Sequence, residues 1–516
     1  MKYSWRTCLG PEGQTIPDQV KRVLLVSIEC NNDTSRTPML APAYLVAEAR
    51  RDPVVRGNVE FEIRQFSMSE PAEKILEELL LKRYDIVGFS CYVWNYHVYE
   101  HIVPLMKRLS PQTILVMGGP QLYGTERTIM NQLSDLDVVA GRAGETAFAK
   151  LVRYVVEGKR DWSDIGGIIF RSNGTIVDTL DKHEWRKFDD IASPYIEGVI
   201  QGQFPNMNLQ TYRGCPHSCS YCIMGSDVEV FDPLSIERVR QDLGKISGLG
   251  AHTLGFFDAT FNHPPSRSRA ILDAISEFGQ FKTVGVSLYV QTLDDDLARN
   301  MARFRTEAGI GLQTCHPEAH RLMRRRLVLD RLISGVQIMN KYGMQYSIQI
   351  IVGLPGDTYE SIARTLLFTV ALEPPLIDSF RLMVLPGTDY RNRAEELGIV
   401  YESRPYHYII SHFSMNHAEI NRAERMAQTL SIFYNCRATR KEIFEQAEKN
   451  GETIIDFCDA LGVYIENFSL IDREELRKGE IIRSYDDQTL QRILSDFIRF
   501  RTKLAIELAL AESHLD

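Results

Sequence analysis

The sequence predicts an α/β protein with an N-terminal Rossmann-like doubly wound domain, a partial (β/α)6 TIM-type barrel and a C-terminal helical domain. Three observations predict this architecture. Short β-branched apolar runs alternate with helical periodicity through the first 158 residues, as in a parallel sheet covered on both faces. The alternation resumes at Met207 and supplies six more strands. From Asn416 onward, long charged helices replace it.

Composition limits the classes of protein to which the chain can belong. It has 516 residues, of which 44% are hydrophobic and 25% charged. These values are typical of globular proteins and exclude a disordered chain or a small disulfide scaffold. The net charge of −9 argues against a protein built around a basic nucleic-acid footprint. We predict domains at 1–178, followed by a linker to 205, and at 206–400 and 401–516.

The N-terminal residues lack the apolar core of a secretory signal. No run in the sequence approaches the roughly 18 apolar residues of a spanning helix. The nine cysteines are an odd number, which does not suit a fully disulfide-paired chain. We therefore expect a cytoplasmic protein with reduced thiols and no membrane partner.

The first block contains five predicted strands, each a short apolar run of the kind that is buried in parallel sheets. They are Lys21–Ile28, Val59–Phe66, Asp85–Ser90, Thr113–Met117 and Asp137–Ala140. Helical spacing of apolar residues predicts the helices Ala43–Arg51, Pro71–Arg83, Tyr96–Leu109 and Thr146–Gly158. Glycine-rich or polar segments follow the strands at Ser90–Asn95, Gly118–Gln121 and Gly141–Glu145. Ligands of such sheets bind at these carboxyl ends.

The second block is preceded by a predicted hairpin at Gly166–Asp178, which turns at Ser172-Asn173-Gly174. Its six predicted strands are enough for an incomplete barrel but fewer than the usual eight. They are Asn208–Tyr212, Thr253–Phe257, Thr283–Val290, Glu307–Leu312, Tyr346–Gly353 and Ser379–Leu385. The predicted C-terminal helices are Ala418–Glu448, Thr453–Ile465 and Asp486–Ser513.

Three cysteines lie within eight residues, in the loop after the first strand of the second block. Cys215, Cys219 and Cys222 give the spacing C-x3-C-x2-C. Packing of neutral thiols is one interpretation, and a zinc site that recruits His217 is another. Three thiolates also suit a four-iron cluster with one iron left open. We therefore assign the three cysteines as candidate metal ligands.

This loop resembles the signature of the radical SAM superfamily. The resemblance implies a 4Fe-4S cluster whose open iron binds S-adenosylmethionine and whose electron cleaves it to a 5′-deoxyadenosyl radical. By the same resemblance, Tyr221, Asp258, Gln313 and Gly353 are candidate contacts to S-adenosylmethionine. Core packing is the alternative for Tyr221, and a role as a capping residue is the alternative for Asp258.

The α/β domain ahead of the barrel resembles that of the cobalamin-binding radical SAM subfamily. Four segments carry the resemblance: Pro38–Ala47, Val87–Asn95, Val116–Pro120 and Val138–Glu145. It implies cobalamin as a further cofactor. The candidate contacts are Ser90, Tyr92, Trp94, Gly118, Gly119 and Glu145. For the two aromatic residues, core packing at a strand end is the alternative.

Two segments depart from the pattern of this subfamily. The turn Gly141-Arg142-Ala143-Gly144-Glu145 stands where relatives often carry a more acidic one. Ser287-Leu288-Tyr289 stands where relatives often carry Glu-x-Arg.

The resemblance predicts an enzyme that methylates an unactivated carbon of a small-molecule biosynthetic intermediate. The alternative is a radical dehydratase, deoxygenase or epimerase of a sugar-like metabolite in antibiotic-type biosynthesis, with the first domain as scaffold. A non-enzymatic cofactor-binding sensor is a third hypothesis. Cys315 is a candidate catalytic hydrogen-atom donor, although it also reads as a small buried hydrophobic residue. We expect an electron donor of the flavodoxin or ferredoxin type and no nucleic-acid partner.

Overall fold

The structure is a computed structural model that describes residues 5–6, 20–30, 37–225, 231–468 and 486–512. Its first unit is an eight-stranded sheet in the order β1-β3-β2-β4-β5-β6-β7-β8. The strands are β1 (Trp5–Arg6), β2 (Lys21–Glu29), β3 (Val59–Ser67), β4 (Ile86–Ser90), β5 (Ile114–Gly118), β6 (Val138–Ala140), β7 (Ile168–Ser172) and β8 (Thr175–Asp178). The five predicted strands are present, as β2 to β6.

Strands β3, β2, β4, β5 and β6 are parallel neighbours, and β7 and β8 add the predicted hairpin at one edge. The order of the parallel strands reverses between β2 and β4. A doubly wound sheet binds its ligand outside the carboxyl ends at such a point. The helices of this unit are α1 (Leu40–Arg50), α2 (Pro53–Asn58), α3 (Ala72–Leu80), α4 (Tyr96–Leu109), α5 (Glu126–Gln132) and α6 (Glu145–Val156).

The second unit is a six-stranded, wholly parallel sheet whose strands follow one another in sequence order. This confirms the partial barrel. Its strands are β9 (Asn206–Leu209), β12 (Thr253–Phe256), β13 (Thr283–Leu288), β14 (Arg305–Gln313), β15 (Gln345–Val352) and β16 (Leu376–Arg381), while β10 (Tyr212–Arg213) and β11 (Asp232–Pro233) form a separate ribbon. The helices are α7 (Ile236–Gly248), α8 (Pro265–Ser276), α9 (Asp295–Met301), α10 (Pro317–Leu322), α11 (Leu329–Lys341), α12 (Tyr359–Ala371) and α13 (Asp389–Asn392).

The sixth barrel strand lies earlier in the chain than the predicted Ser379–Leu385. It begins at Leu376 and pairs with β15 only as far as Arg381. Beyond that point the chain bonds with a later segment: the amide of Val384 donates to the carbonyl of His407 at 2.9 Å. The apolar run continues past the strand because these residues are buried under the C-terminal domain rather than within the sheet.

The C-terminal unit contains α14 (His417–Asn435), α15 (Arg437–Lys449), α16 (Ile454–Asn467) and α17 (Asp487–Glu512), preceded by the small pair β17 (Val400–Tyr401) and β18 (Ile409–Ser411). The predicted single helix Ala418–Glu448 is wrong, because the chain is extended at Cys436. Thr439 and Arg440 cap the break by donating to the carbonyls of Phe433 and Tyr434, which satisfies acceptors left open at a helix end. Ser513, at the end of the last predicted helix, lies outside the described residues.

The units share their apolar cores. One cluster runs without interruption from the first sheet, through buried residues between 188 and 204, to the barrel. Another joins the late barrel strands to the C-terminal helices. The predicted domain boundaries remain a prediction, since no core ends at residue 205.

The two α/β units also meet backbone to backbone. A Cβ atom added at Gly124 would lie 3.3 Å from the Cα of Gly387, and one added at Gly387 would lie 3.0 Å from the carbonyl of Tyr123. Both glycines have positive φ angles.

No helix within the described ranges has the length and apolar character needed to cross a bilayer.

Candidate functional site

A cavity of about 1060 Å³ lies between the first sheet and the barrel. The strand ends of the first unit line one side, among them Gly88, Gly118 and Ala140. The two ends of the cysteine loop line the other, with Gly214 and Met224. The cavity therefore occupies the switch point of the doubly wound sheet and reaches the residues that flank the predicted cluster ligands.

Five of the six residues predicted to contact cobalamin line this cavity: Ser90, Tyr92, Gly118, Gly119 and Glu145. Trp94 does not. Its ring stacks on Tyr92, with ring centroids 4.4 Å apart, and its indole nitrogen donates to the carbonyl of Ile28 at 3.0 Å. Trp94 thus packs against the ring of Tyr92 and holds it in position. A direct contact between Trp94 and the cofactor remains a prediction.

The loop after β4 is held by Asn95, which the sequence analysis did not single out. Its side-chain oxygen accepts from the amide of Tyr92 at 2.8 Å, and its amide nitrogen donates to the carbonyls of Ile28 and Ser90. Asn95 is fully buried. These bonds fix the position from which Tyr92 faces the cavity.

Two adjacent glycines at the end of β5 have different structural roles. At Gly119, φ is +128°, and an added Cβ would lie 2.3 Å from the carbonyl oxygen of Cys91. Only glycine fits there. At Gly118, an added Cβ would meet only Ala140, at an ordinary contact distance of 3.5 Å. Gly119 therefore holds two loops together, and Gly118 leaves space on the cavity floor.

An ion pair joins the first unit to the barrel beside the cavity. Arg213 approaches both carboxylate oxygens of Glu145, at 2.5 and 3.3 Å, and its guanidinium lies 4.3 Å from the ring centroid of Phe188. Burial alone would raise the pKa of Glu145, but the charge of Arg213 outweighs it and lowers that pKa. Sequence reasoning missed Arg213, since an arginine before a cysteine carries no sign of its partner.

The cysteine loop is anchored by its backbone and by Ser220. The amide of Ser220 donates to the carbonyl of Met323 at 3.0 Å, and its carbonyl accepts from the amide of Tyr390 at 2.9 Å. Cys215, Cys219 and Cys222 form no disulfide. Within the described residues, no three His, Cys, Asp or Glu side chains are grouped as ligands of a single ion.

Arg325 places a cation beside the cysteine loop. Its Nη1 lies 3.7 Å from the Sγ of Cys219, and its Nη2 donates to the carbonyl of Gly311 at 2.9 Å. Its guanidinium also lies over the ring of Tyr289. The neighbouring Arg324 is half exposed and pairs with Asp389 on the surface. The sequence showed three consecutive arginines, but it did not show which of them faces the loop.

Asp258 is buried behind the cysteine loop. Its carboxylate accepts from the amide and hydroxyl of Thr211, at 2.7 and 2.5 Å, and from the amide of Tyr212. Burial raises the pKa of Asp258 to about 6 despite these bonds. The contacts are those of a turn-capping carboxylate. A contact with S-adenosylmethionine remains a prediction.

Gln313 ends β14 at a register shift, with a positive φ of 71°. It is buried, and its side-chain oxygen has no hydrogen-bond partner among the described residues. A buried acceptor without a donor is costly. A ligand donor would satisfy it, in agreement with the predicted contact to S-adenosylmethionine.

The other predicted residues of the barrel have varied surroundings. Tyr221 is half-buried beside Cys219. Gly353 lies under the C-terminal unit, where an added Cβ would be 2.7 Å from a methyl of Ile409. Cys315 lies beside Thr365 of the outer helix α12, and burial raises the pKa of its thiol to about 12. The roles predicted for these three residues remain predictions.

Two family models match the chain. The model of the B12 binding domain matches residues 52–152, and the model of the Radical SAM superfamily matches residues 209–369. The first range covers β3 to β6 with the cavity floor, and the second covers the barrel from the end of β9 into α12.

Two curated relatives and one solved structure are similar to the chain. A cobalamin-dependent radical SAM methyltransferase, TokK of Streptomyces tokunonensis, is 24% identical over 64% of this chain and 50% of its own length. The uncharacterized methyltransferase PH0819 of Pyrococcus horikoshii is 23% identical over 83% of this chain and 95% of its own. The chain thus spans only half the length of TokK.

The solved structure is the cobalamin-dependent S-adenosylmethionine radical enzyme OxsB with aqua-cobalamin and S-adenosylmethionine bound. It superimposes with a TM-score of 0.60 at 13% identity, and the match covers 95% of this chain and 80% of that one. At this identity the likeness establishes a shared fold.

The residues present fit the cofactors that these two domains imply. Three cysteines outside any disulfide, the cation Arg325 and the buried side-chain oxygen of Gln313, which has no hydrogen-bond partner among the described residues, suit a 4Fe-4S cluster with S-adenosylmethionine. The large, glycine-floored cavity at the switch point suits cobalamin. With a B12-binding domain followed by a radical SAM domain, the chain belongs to the cobalamin-binding radical SAM enzymes.

Proposed function

We propose that the protein is a cobalamin-dependent radical SAM methyltransferase that transfers a methyl group to an unactivated carbon of a small-molecule biosynthetic intermediate. One observation carries the proposal. The same cavity is lined by the strand ends of the B12-binding domain and by Gly214, Ile223 and Met224 of the cysteine loop. A cobalamin held in it would face the site of S-adenosylmethionine cleavage.

The bound groups supply the reactive chemistry: the cluster provides an electron for cleavage of S-adenosylmethionine, and cobalamin provides the methyl group. The chain's own residues bind and orient. Cys215, Cys219 and Cys222 would hold the cluster, and Arg325 would place a positive charge beside the thiolates. A cation there stabilises the deprotonated form of the thiols, which is the form that binds iron.

The position of the cobalamin cavity relative to the cysteine loop depends on contacts between the two domains. The pair of Glu145 and Arg213 spans them next to the cavity, and the backbones of Gly124 and Gly387 are in contact. Radical chemistry needs reacting atoms at a fixed separation. These contacts support a site in which both cofactors keep one geometry.

The identity of the substrate is proposed only as a class. Two of the curated relatives, TokK and PH0819, are methyltransferases by name, and the acidic chain does not suit a nucleic-acid substrate. We further propose a cytoplasmic location and a reductant of the flavodoxin or ferredoxin type, as the radical SAM family implies.

Anaerobic reconstitution tests the proposal. The purified protein is loaded with iron, sulfide and hydroxocobalamin, and is then incubated with cell extract and methyl-labelled S-adenosylmethionine. We expect a cobalamin absorption spectrum that stays with the protein, deoxyadenosine formation and a labelled small molecule in mass spectra. Cys436→Ala, at a thiol far along the chain from the cluster loop, is the control variant.

Two results would contradict the proposal. Protein that retains no cobalamin would exclude the methyl source. Deoxyadenosine formation without any methylated product would instead favour a dehydratase, deoxygenase or epimerase, with the first domain as scaffold.

A further inference from the structure

A basic segment lies against the cysteine loop. Residues 321–331 contain five arginines and one aspartate, in a chain whose net charge is −9. We call these residues the arginine segment. The carbonyl of Met323 accepts from the amide of Ser220 at 3.0 Å, and the carbonyl of Leu322 accepts from the hydroxyl of Ser220 at 3.2 Å. The arginine segment therefore packs directly on the chain that connects Cys219 to Cys222.

Three of the five arginines have anionic or sulfur partners. The pairs are Arg321 with Glu318, Arg324 with Asp389, and Arg325 with the sulfur of Cys219. Arg326 and Arg331 are exposed, and neither guanidinium has an ion pair or a hydrogen bond to any residue that the structure describes. Asp330 is the only acidic residue in the segment. The segment thus has a surplus of positive charge at the surface.

The acidic residues at the start of α9 do not neutralise this surplus. Helix α9 packs against α11, which begins within the arginine segment. The carboxylates of this acidic group already have cationic partners. The pairs are Asp294 and Asp296 with Arg269, and Asp295 with Arg299 and Lys341. The charges of Arg326 and Arg331 therefore remain available to a partner.

The cysteine loop itself reaches the surface and contacts this segment through two rings. Ser218 of the loop is exposed. The ring of His217 lies against the ring of Tyr289, with centroids 4.4 Å apart, and the hydroxyl of Tyr289 donates to the carbonyl of Arg326 at 2.8 Å. Burial raises the pKa of Tyr289, and positive charges that include Arg326 and Arg331 oppose that rise. Both arginines are therefore close enough to Tyr289 to act on its phenol.

Cleavage of S-adenosylmethionine needs an electron that comes from outside the chain. Electron transfer slows steeply with distance, so a carrier protein has to approach the cysteine loop closely. Flavodoxins and ferredoxins have acidic surfaces. Unpaired positive charge beside the loop would attract such a carrier and orient it. The acidic remainder of the chain would repel it.

We infer that Arg326 and Arg331, together with the exposed Ser218, form the docking surface for a small acidic electron-carrier protein. The reduced carrier gives up one electron and is oxidised, the cluster held by the cysteine loop gains that electron, and reductive cleavage of S-adenosylmethionine consumes it. The inference rests on the radical SAM chemistry of the proposed function. It adds the place at which the reductant binds.

Binding of purified carriers tests the inference without turnover. A flavodoxin and a ferredoxin, both oxidised, are each titrated into the reconstituted full chain at low ionic strength, and dissociation constants are measured by calorimetry. We expect at least one carrier to bind, and its affinity should fall as salt is added. The double variant Arg326→Glu/Arg331→Glu should weaken this binding about thirtyfold.

The matched control is the double variant Arg83→Glu/Arg108→Glu. It makes the same change of charge at two exposed arginines of the first unit. Because only the position of the charges differs between the two double variants, the control should bind the carrier as the unmodified chain does.

The source of electrons separates docking from chemistry. With the reduced carrier, Arg326→Glu/Arg331→Glu should form deoxyadenosine roughly tenfold more slowly than the unmodified chain. With dithionite, which needs no docking surface, the two proteins should form it at the same rate.

Three results would overturn the inference and leave the proposed function in place, provided that dithionite supports deoxyadenosine formation. They are an unmodified chain that binds neither carrier, unchanged binding in Arg326→Glu/Arg331→Glu, and equal losses in the two double variants. If dithionite supports no deoxyadenosine formation in the unmodified chain, the inference and the proposed radical chemistry both fall.

Discussion

The two α/β units provide their strand ends to the site in opposite ways. In the first unit, Gly88, Gly118 and Ala140 lie at or near the strand ends, and the absence of large side chains creates the cavity. In the barrel, the strand ends carry buried polar side chains such as Asp258 and Gln313. The first unit can therefore recognise a bulky ligand by shape, and the second can recognise small polar groups by fixed donors and acceptors.

The strongest test of this difference removes a cluster ligand. Cys219→Ala should abolish iron retention and lower deoxyadenosine formation on the order of a thousandfold or more, because ligands that act as a unit fail together. Cobalamin binding should persist, since the cavity floor belongs to the other unit. Iron analysis, chromatography of deoxyadenosine and corrinoid titration measure these three quantities. A variant that loses both cofactors would show that the units are not separable in this way.

Breaking the pair that joins the units should cost stability. Glu145→Gln leaves Arg213 charged and half-buried without its carboxylate, at a cost of about 3 kcal/mol in the free energy of unfolding. Because Arg213 lowers the pKa of Glu145, the contribution of the pair is fully present above the ordinary glutamate pKa of 4.5 and is lost as the pH falls through the lowered value.

Denaturation curves of the two proteins should therefore converge in acid. They are recorded from neutral pH to below 4.5, at fixed salt concentration. Glu157→Gln, which removes the exposed pairs of this carboxylate with Arg153 and Lys159, is the control and should leave the stability nearly unchanged. A gap for Glu145→Gln that stays constant with pH would contradict the linkage to this carboxylate.

Filling the floor of the cavity should weaken cobalamin binding by the first unit and leave the iron content of the barrel unchanged. In Gly118→Leu, the added Cβ makes only ordinary contacts with Ala140, at 3.5 and 3.9 Å, but the rest of the side chain enters the space proposed for the ligand. We expect roughly thirtyfold weaker cobalamin binding with unchanged iron content. Gly57→Leu, where nothing lies within 4 Å of an added Cβ, is the matched control. Unchanged cobalamin affinity in Gly118→Leu would mean that the corrinoid binds elsewhere.

The smallest expected effect separates two neighbouring arginines of the barrel. Arg325→Gln removes the charge 3.7 Å from Cys219 and should slow S-adenosylmethionine cleavage about tenfold, with an altered paramagnetic spectrum of the cluster. Arg324→Gln removes only a surface pair with Asp389 and should leave both unchanged. Equal effects of the two variants would show that the rate of S-adenosylmethionine cleavage depends on net charge and not on the position of Arg325.

Much of the fold could be predicted from the sequence because the signals were local. Apolar runs and glycine-rich strand ends located β2 to β6, and the spacing of Cys215, Cys219 and Cys222 located the cluster loop. The break at Cys436 could not be predicted, since no proline or glycine marks it and the side chains that cap it come from the next helix. The sixth barrel strand was misplaced because Leu382 and Val384 are buried by tertiary packing and not by strand pairing.

The site was predicted less completely than the fold. Ser90, Tyr92 and Gly118 line the cavity, since position after a strand determines which residues reach the carboxyl edge. Arg213 and Arg325 were missed, because their importance lies in partners 68 and 106 residues away. An arginine gives no local sign of the direction in which its long side chain will point.

The contact of Gly124 with Gly387 bears on how such an enzyme can diversify. The gap between the two cofactor domains is set there by main-chain atoms, so side chains elsewhere along the interface can change without altering it. Changes in the C-terminal helices alone could then accommodate new substrates, while the separation between the two cofactor-binding units stays the same. A larger residue at either glycine would instead push the two units apart. Activity measured with residues of increasing size would show how much added separation the reaction tolerates.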